Sequence, residues 1–285
     1  MYSLARFALA FLVATALAPG SLGACAPAAT PHLRLATTTS LYDTGLWDYL
    51  EPMFEAEYGV ELDVMYAGTG KALEWARRGD VDIIVTHSRE RELQLVADGY
   101  GLERVPFAYN YFLIVGPADD PAGIRGLPPE DAFRRIAASR ATFVSRGDDS
   151  GTHSREKAIW AAAGLDYEQV RRGGARYIEA GSGMGPTLVM ASEKRAYTLT
   201  DTGTFLAYRG KLGLVPLVES GTTLLNVYSA IVVNPGKVNV KNADRARDLV
   251  RFLTSAEVQD LIGSYGVAEY GQALFSPCAG AEPRS

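Results

Sequence analysis

Four short runs rich in hydroxyl and glycine residues stand out in this chain: Thr37-Thr38-Thr39-Ser40, Gly68-Thr69-Gly70-Lys71, Ser145 to Thr152 (SRGDDSGT) and Thr198 to Thr204 (TLTDTGT). Each follows an apolar, β-branched run and precedes a segment of helical period. Turns so placed gather at the carboxyl ends of parallel strands, where ligand crevices form. A helix start offers unpaired N–H groups and about half a positive charge, so it holds an anion without a basic side chain. Hydroxyls add donors that rotate to suit, and glycines at 68, 70, 147 and 151 let the backbone approach closely. One such run alone is an ordinary helix cap. Four of them, one holding an arginine, point to a shared oxyanion site. Arg146 is the sharpest candidate, because a guanidinium fork matches a tetrahedral oxyanion with two parallel hydrogen bonds. Asp148 and Asp149 beside it pair with it, orient it or cap the next helix, since a carboxylate aimed at an anion repels it. His87, between Thr86 and Ser88 at a strand end, either donates to the anion or is structural; with Asp149 and Thr200 it is placed around the ligand shell rather than in it.

Other chemistries fit less well. Gly147-Asp148-Asp149-Ser150-Gly151 suggests a nucleophilic serine with His87 or His153 as base, but the spacing is not the G-x-S-x-G elbow, and His153 lies three residues past Ser150 in a first helical turn. Gly70-Lys71 lacks a glycine at P-loop spacing, and Ala72 follows where Ser or Thr would hold Mg²⁺. Two cysteines and three histidines are scattered with no CxxC or HxxxH pair. The expectation is a binding protein with no catalytic residues, no cofactor and no bound metal cation. A net charge of -5 gives no positive field for nucleic acid, so an anion must be captured by local groups.

The elements that must position these turns follow from periodicity. Leu33 to Thr37, Val60 to Tyr66 and Val81 to Val85 read as strands. Gly45 to Tyr58 reads as a helix with Leu46, Trp47, Leu50, Met53 and Phe54 on one stripe and Asp43 or Thr44 as N-cap; further helices start at Lys71 and near Ser88. Val105 to Val115, with Phe107, Tyr109, Tyr111 and Phe112, reads as a crossing strand that closes at Gly116-Pro117 before a Pro- and Gly-rich boundary. Its aromatics and Trp47 read as core or hinge packing rather than a ligand cage. Beyond it come strands at Ala141 to Ser145, Tyr177 to Glu179, Ala196 to Leu199 and Val227 to Val233. Helices are expected from Gly151, Pro186, Thr202, Asn242 and Ser255, the last ending near Gly263. The fold class is therefore α/β with two lobes, each a mainly parallel sheet flanked by helices, joined by crossing hinge strands. Residues 33–108 and about 225–276 form the first lobe, 109–224 the second, and 277–285 a tail.

At the N-terminus, Arg6 precedes the apolar run Phe7 to Leu17, which has the length of a signal-peptide core and is too short to span a bilayer. Residues 1–24 are expected to be a leader and 25–32 a tether. Leu22-Gly23-Ala24-Cys25 looks like a bacterial lipobox, so Cys25 is expected to be lipidated and to anchor the protein at the periplasm or outer cell surface; the alternative is a Cys25–Cys278 disulfide.

Taken together, the TTTS run, GTGKAL, SRGDDSGTH (Ser145 to His153), GSGMG (Gly181 to Gly185) and AYTLTDTGT (Ala196 to Thr204) resemble the tungstate-binding substrate proteins of ABC transporters, in that family's order and over nearly the whole mature chain. The resemblance implies a type II periplasmic-binding-protein fold, tungstate as ligand, and a permease and ATPase as partners. It implies a ligand shell of Thr38, Thr39, Ser40, Thr69, Arg146, Ser150, Gly151 and Thr152. Two positions depart from the family pattern: Thr202 stands where an Arg is frequent, and Gly181-Ser182-Gly183 where a Gln is common. Both segments are therefore kept out of the shell. Molybdate, phosphate and sulfate are the competing ligands.

Overall fold

A computed structural model describes residues 30–173 and 176–283. The expected leader, Cys25 and all but the end of the tether lie outside the described residues. The order is β1 (His32–Thr38), α1 (Thr39–Tyr42), α2 (Leu46–Tyr58), β2 (Glu61–Ala67), α3 (Thr69–Arg78), β3 (Ile83–Thr86), α4 (Arg89–Ala97) and β4 (Gly101–Pro117). Then come α5 (Pro129–Ala138), β5 (Phe143–Ser145), α6 (Gly151–Ala162), α7 (Tyr167–Arg171), β6 (Tyr177–Glu179), α8 (Met184–Glu193), β7 (Thr198–Asp201), α9 (Thr202–Tyr208) and β8 (Leu214–Val218). The chain returns through β9 (Leu225–Val233), α10 (Ala243–Thr254), α11 (Ala256–Ser264) and the short β10 (Ser276–Pro277). Among the described residues no helix is long and apolar enough to cross a membrane.

Strand β4 makes the two-lobed plan. Its first part, Gly101 to Tyr111, pairs with β9, and its second part, Phe112 to Pro117, pairs with β7 and β8. In the first lobe β2, β1 and β3 are parallel, with Leu35 opposite both Val64 and Ile83. In the second lobe β5 and β6 are parallel, and a parallel bridge from Phe143 to Tyr197 ties β5 to β7. The expected parallel character thus holds for the strands linked through helices. The pairs that β4 and β9 make are antiparallel, because one carries the chain out of the first lobe and the other brings it back.

Both sheets are covered on both faces, which is why their strands are almost continuously apolar. In the first lobe Leu35, Ile83, Val85 and Tyr228 pack with Leu50 and Phe54 of α2 and Leu249 and Phe252 of α10. Alternate residues Ala36, Ile84 and Ile231 turn to Ala72, Leu73 and Ala76 of α3. In the second lobe Phe112 and Ile114 meet Phe133, Phe143 and Trp160, while Leu113, Val115 and Val144 meet Met184, Leu188 and Phe205. The aromatics of β4 divide as packing residues: Phe107 and Phe112 are buried, and Tyr109 meets Tyr111 edge to face.

Several local expectations shift. The one-turn helix α1 comes directly after the TTTS turn, and α2 starts after Gly45 in a left-handed conformation (φ +74°) rather than from Asp43 or Thr44 as cap; the Thr44 hydroxyl still accepts from Leu46 N–H at 3.3 Å. Helix α3 begins at Thr69 and α8 at Met184, so Pro186 stands inside a first turn, where its missing N–H costs nothing. The Pro- and Gly-rich stretch after β4 holds a helix, α5, entered through Pro128-Pro129.

Candidate functional site

Three of the four turns singled out by composition meet between the lobes. From the first lobe come the β1–α1 turn (Thr38, Thr39, Ser40) and the start of α3 (Thr69). The second lobe supplies the β5–α6 turn (Arg146 to Ser150) and the start of α6 (Gly151, Thr152). A Cβ on Gly68 would lie 3.9 Å from the Ser150 Cα, and one on Gly70 would lie 3.2 Å from an Asp149 carboxylate oxygen, so the two helix starts face each other closely. Thr38, Ser40, Thr69, Arg146, Ser150 and Thr152 are all buried, and Thr39 is half-buried. Thr37, in the same run, is committed elsewhere: its hydroxyl accepts from Trp47 Nε1 at 3.2 Å.

A buried polar atom without a partner costs about 1–3 kcal/mol, so such atoms are rare and informative. Among the described residues five buried side-chain atoms lack one, and three of them are Thr69 Oγ1, Arg146 Nε and Thr152 Oγ1. All three are donors on turns that converge on the interlobe cleft. Ser150 Oγ accepts from His153 N–H at 3.2 Å as N-cap of α6, which leaves its proton to donate outward.

Arg146 is held from behind. Its Nη2 donates to Asp148 Oδ2, and its carbonyl accepts from Gly181 N–H at 2.8 Å, so the GSGMG segment supports the arginine backbone. Asp148 Oδ1 also accepts from Ser150 N–H at 3.2 Å. Below the turn, the buried Glu156 accepts from Ser145 Oγ at 2.6 Å, Tyr177 OH at 2.6 Å and Trp160 Nε1 at 3.0 Å. Burial pushes its carboxyl up to about 7 against those three donors. Burial also raises Asp201, opposed by donation from Thr204 and by the field of Arg146.

His87 joins the lobes. Its Nδ1 bonds Asn226 Oδ1 at 2.8 Å; the Asn226 amide nitrogen donates in turn to Asn110 Oδ1 and Tyr228 OH, so Nδ1 carries the proton and Nε2 is the acceptor. Nε2 lies 3.3 Å from Ser40 Oγ. The ring rests on the bare Cα of Gly151 in the other lobe: a Cβ there would be 2.5 Å from His87 Cε1. Burial pushes the His87 pKa down to about 4, with Arg155 and Arg146 adding to the fall. Two more contacts bridge the lobes. Arg91 Nη2 lies 3.6 Å from Asp149 Oδ2, and a Cβ on Gly203 would be 3.0 Å from Thr44 Cγ2. Asp149 holds a left-handed backbone (φ +55°) and its side chain is exposed at the cleft rim.

Not every expected residue turns to the cleft. Thr200 is buried, with its hydroxyl on the Asp201 carbonyl at 3.2 Å, and Thr202 donates to Tyr111 O at 2.8 Å. Sequence reasoning missed Asn226, Glu156, Arg91 and Arg155; of these Arg155 and Glu156, four and five residues past Gly151 on the same helix, carried a local signal.

Serine chemistry finds no support in this geometry. Ser150 Oγ meets a backbone N–H of His153, whose Nδ1 accepts from Asp149 N–H and whose Nε2 faces Tyr167 OH. Ser40, His87 and Asn226 line up as hydroxyl, imidazole and amide, but an imidazole with a pKa near 4 is a weak base at neutral pH. What the cleft offers is buried donors at fixed positions, the requirement for holding an oxyanion.

Residues 26–257 match the family described as the PBP superfamily domain. The chain is 44% identical over 248 residues to the tungstate-binding protein TupA of Peptoclostridium acidaminophilum, covering 86% of this chain and 85% of that one. Its structure is similar to that of the tungstate-binding protein TupA from Desulfovibrio alaskensis G20, with a TM-score of 0.76 and 42% identity over 87% of this chain and 99% of the other. It is also similar to that of the tungstate ABC transporter protein from Geobacter sulfurreducens, with a TM-score of 0.72 and 44% identity over 82% and 98% of the two chains. The chain belongs to the PBP superfamily, in the family that includes the proteins described as tungstate-binding protein TupA.

Proposed function

We propose that this chain is an extracytoplasmic solute-binding protein that captures tungstate in the interlobe cleft and hands it to an ABC permease driven by its ATPase. The observation that carries the reading is the set of partnerless buried donors, Thr69 Oγ1, Arg146 Nε and Thr152 Oγ1, on turns from both lobes. Tungstate at neutral pH is a fully deprotonated dianion, so only donors serve it. Asp148 and Asp201 are already engaged by Arg146, Ser150 N–H and Thr204 in holding their turns, which favours a ligand that needs no acceptor over a protonated phosphate.

The ligand shell of this reading is Thr38, Thr39, Ser40, Thr69, Arg146, Ser150, Gly151 and Thr152, with His87 and Asp149 bridging the lobes beside it. The moving bodies are residues 33–108 with about 225–276, and 109–224, hinged on β4 and β9. The anion meets one lobe and the other swings in, a closure stabilised only because the ligand offers acceptors to both. Lipidation of Cys25 would tether the lobes to the membrane on the side where the permease receives the anion. The role is binding and delivery, not turnover.

The test is thermal unfolding with tungstate, molybdate, phosphate and sulfate, followed by calorimetry. A ligand at a hundred times its Kd stabilises the folded form by about 2.7 kcal/mol. Tungstate should give such a shift, at least as large as that of molybdate. A shift with phosphate or sulfate and none with tungstate would reject the assignment.

A further inference from the structure

A dianion entering this cleft meets few uncompensated positive charges. The chain as a whole carries -5. Arg146, the arginine in the pocket, already donates to Asp148, and its field also acts on Asp43 and Asp201. Other arginines are likewise matched: the part-exposed Arg34 to Asp82 at 2.9 Å and the buried side chain of Arg104 to Glu92 at 2.6 Å.

Arg155 differs. It lies one helical turn past Gly151, on the same side of α6. Its guanidinium stands 5.9 Å from the ring centroid of Phe112 on the crossing strand, and desolvation alone shifts its pKa, downward, with no carboxylate near enough to oppose it. It makes no ion pair among the described residues. Arg155 lines a groove of about 960 Å³ between α4 and α6, that is, between the lobes. His87 and Gly151 close the inner end of this groove; Arg91 and Lys157 line its flanks, with Glu90 as the acid among its lining. Arg91 is partly offset by Asp149 and Arg89 by Glu282, which leaves Arg155 and Lys157 as the lining cations without an ion pair among the described residues, and Arg155 acts on His87 at the inner end.

We propose that the groove between α4 and α6 is the route by which the oxyanion enters the cleft, and that Arg155 is the encounter site that draws it in. The inference rests on the binding function proposed above. In the closed form the His87–Gly151 contact stands between Arg155 and the pocket, so Arg155 acts on arrival and not on residence. A rim charge of this kind changes the association rate and its salt dependence, whereas a buried partner changes dissociation.

Stopped-flow tryptophan fluorescence with tungstate tests this, at about 20 mM and about 500 mM salt, where the screening length falls from roughly 20 Å to a few ångströms. At low salt Arg155→Gln should slow association roughly three- to tenfold, Arg155→Lys should restore most of the rate, and dissociation should stay as in the wild type. The difference should collapse at high salt. Lys157→Gln should slow association in the same direction, while Arg247→Gln on the far helix α10 leaves it unchanged. Association rates of Arg155→Gln and Lys157→Gln equal to wild type at low salt would overturn the entrance route, as would a loss confined to dissociation. Absence of tungstate binding by the wild-type chain would instead remove the functional reading, and this inference with it, before any variant is made.

Discussion

Replacing Gly151 with alanine adds one methyl group where the closed cleft has no space for it. The new Cβ would lie 2.5 Å from His87 Cε1, 2.8 Å from Nε2 and 3.1 Å from Nδ1, against about 3.5–4.0 Å for an ordinary carbon contact. Either the ring or the lobe must retreat by about 1 Å. The ring is held by Asn226 at 2.8 Å and flanked by Tyr228 and Phe112 at centroid distances of 5.1 and 6.1 Å, so the lobe yields. Overpacking of this size costs about 1–3 kcal/mol, and only the closed form bears it. Since binding is coupled to closure, the tungstate Kd should rise roughly 5- to 150-fold. Folding should not suffer, because alanine suits the first turn of α6 at least as well as glycine. Calorimetry on Gly151→Ala, His87→Ala and the double variant gives a coupling energy free of the loss of Ser40's partner. Equal affinity in Gly151→Ala and wild type, or an alanine cost undiminished in the His87→Ala background, would refute the wedge argument.

Thr69→Val and Thr152→Val each remove a buried hydroxyl that lacks a partner while keeping the side-chain shape. Each should weaken tungstate binding by about 1.5–3 kcal/mol yet leave the anion-free protein as stable or more so, seen as opposite changes in calorimetric Kd and thermal midpoint. Stability should also depend on pH through two buried groups. Glu156 titrates near 7 in the fold, well above a free carboxylate, so the folded form holds its proton longer and stability falls as pH rises from about 4.5 to 7. Denaturant melts of Glu156→Gln should lack that slope. His87 titrates near 4, below a free imidazole, so its contribution is lost as pH falls from about 6.5 to 4, and His87→Gln should flatten the acid side of the same curve.

The sequence by itself determined the local elements and the chemistry of the turns. The α2 stripe of Leu46, Trp47, Leu50 and Phe54 is buried as its period requires, and β6 spans the residues its β-branched and aromatic content marked. The runs at 38–40, 69 and 146–152 stand at strand ends before helices because capping and periodicity act within about four residues, where one sequence carries the whole signal. Weak or context-dependent signals were lost even at that range, as with the one-turn α1, the Pro-framed α5 and the edge strand β8. Tertiary structure alone decided which turns share a pocket and which donors lack partners. His87 meets Asn226 across 139 residues, and Arg91 faces Asp149 only because α4 and α6 lie on opposite lobes. The Thr200 hydroxyl turns to its own strand, although its run looks like the others. Such contacts depend on strand order and lobe closure. These arise from burying both sheet faces along the whole chain, and no window of neighbouring residues encodes them.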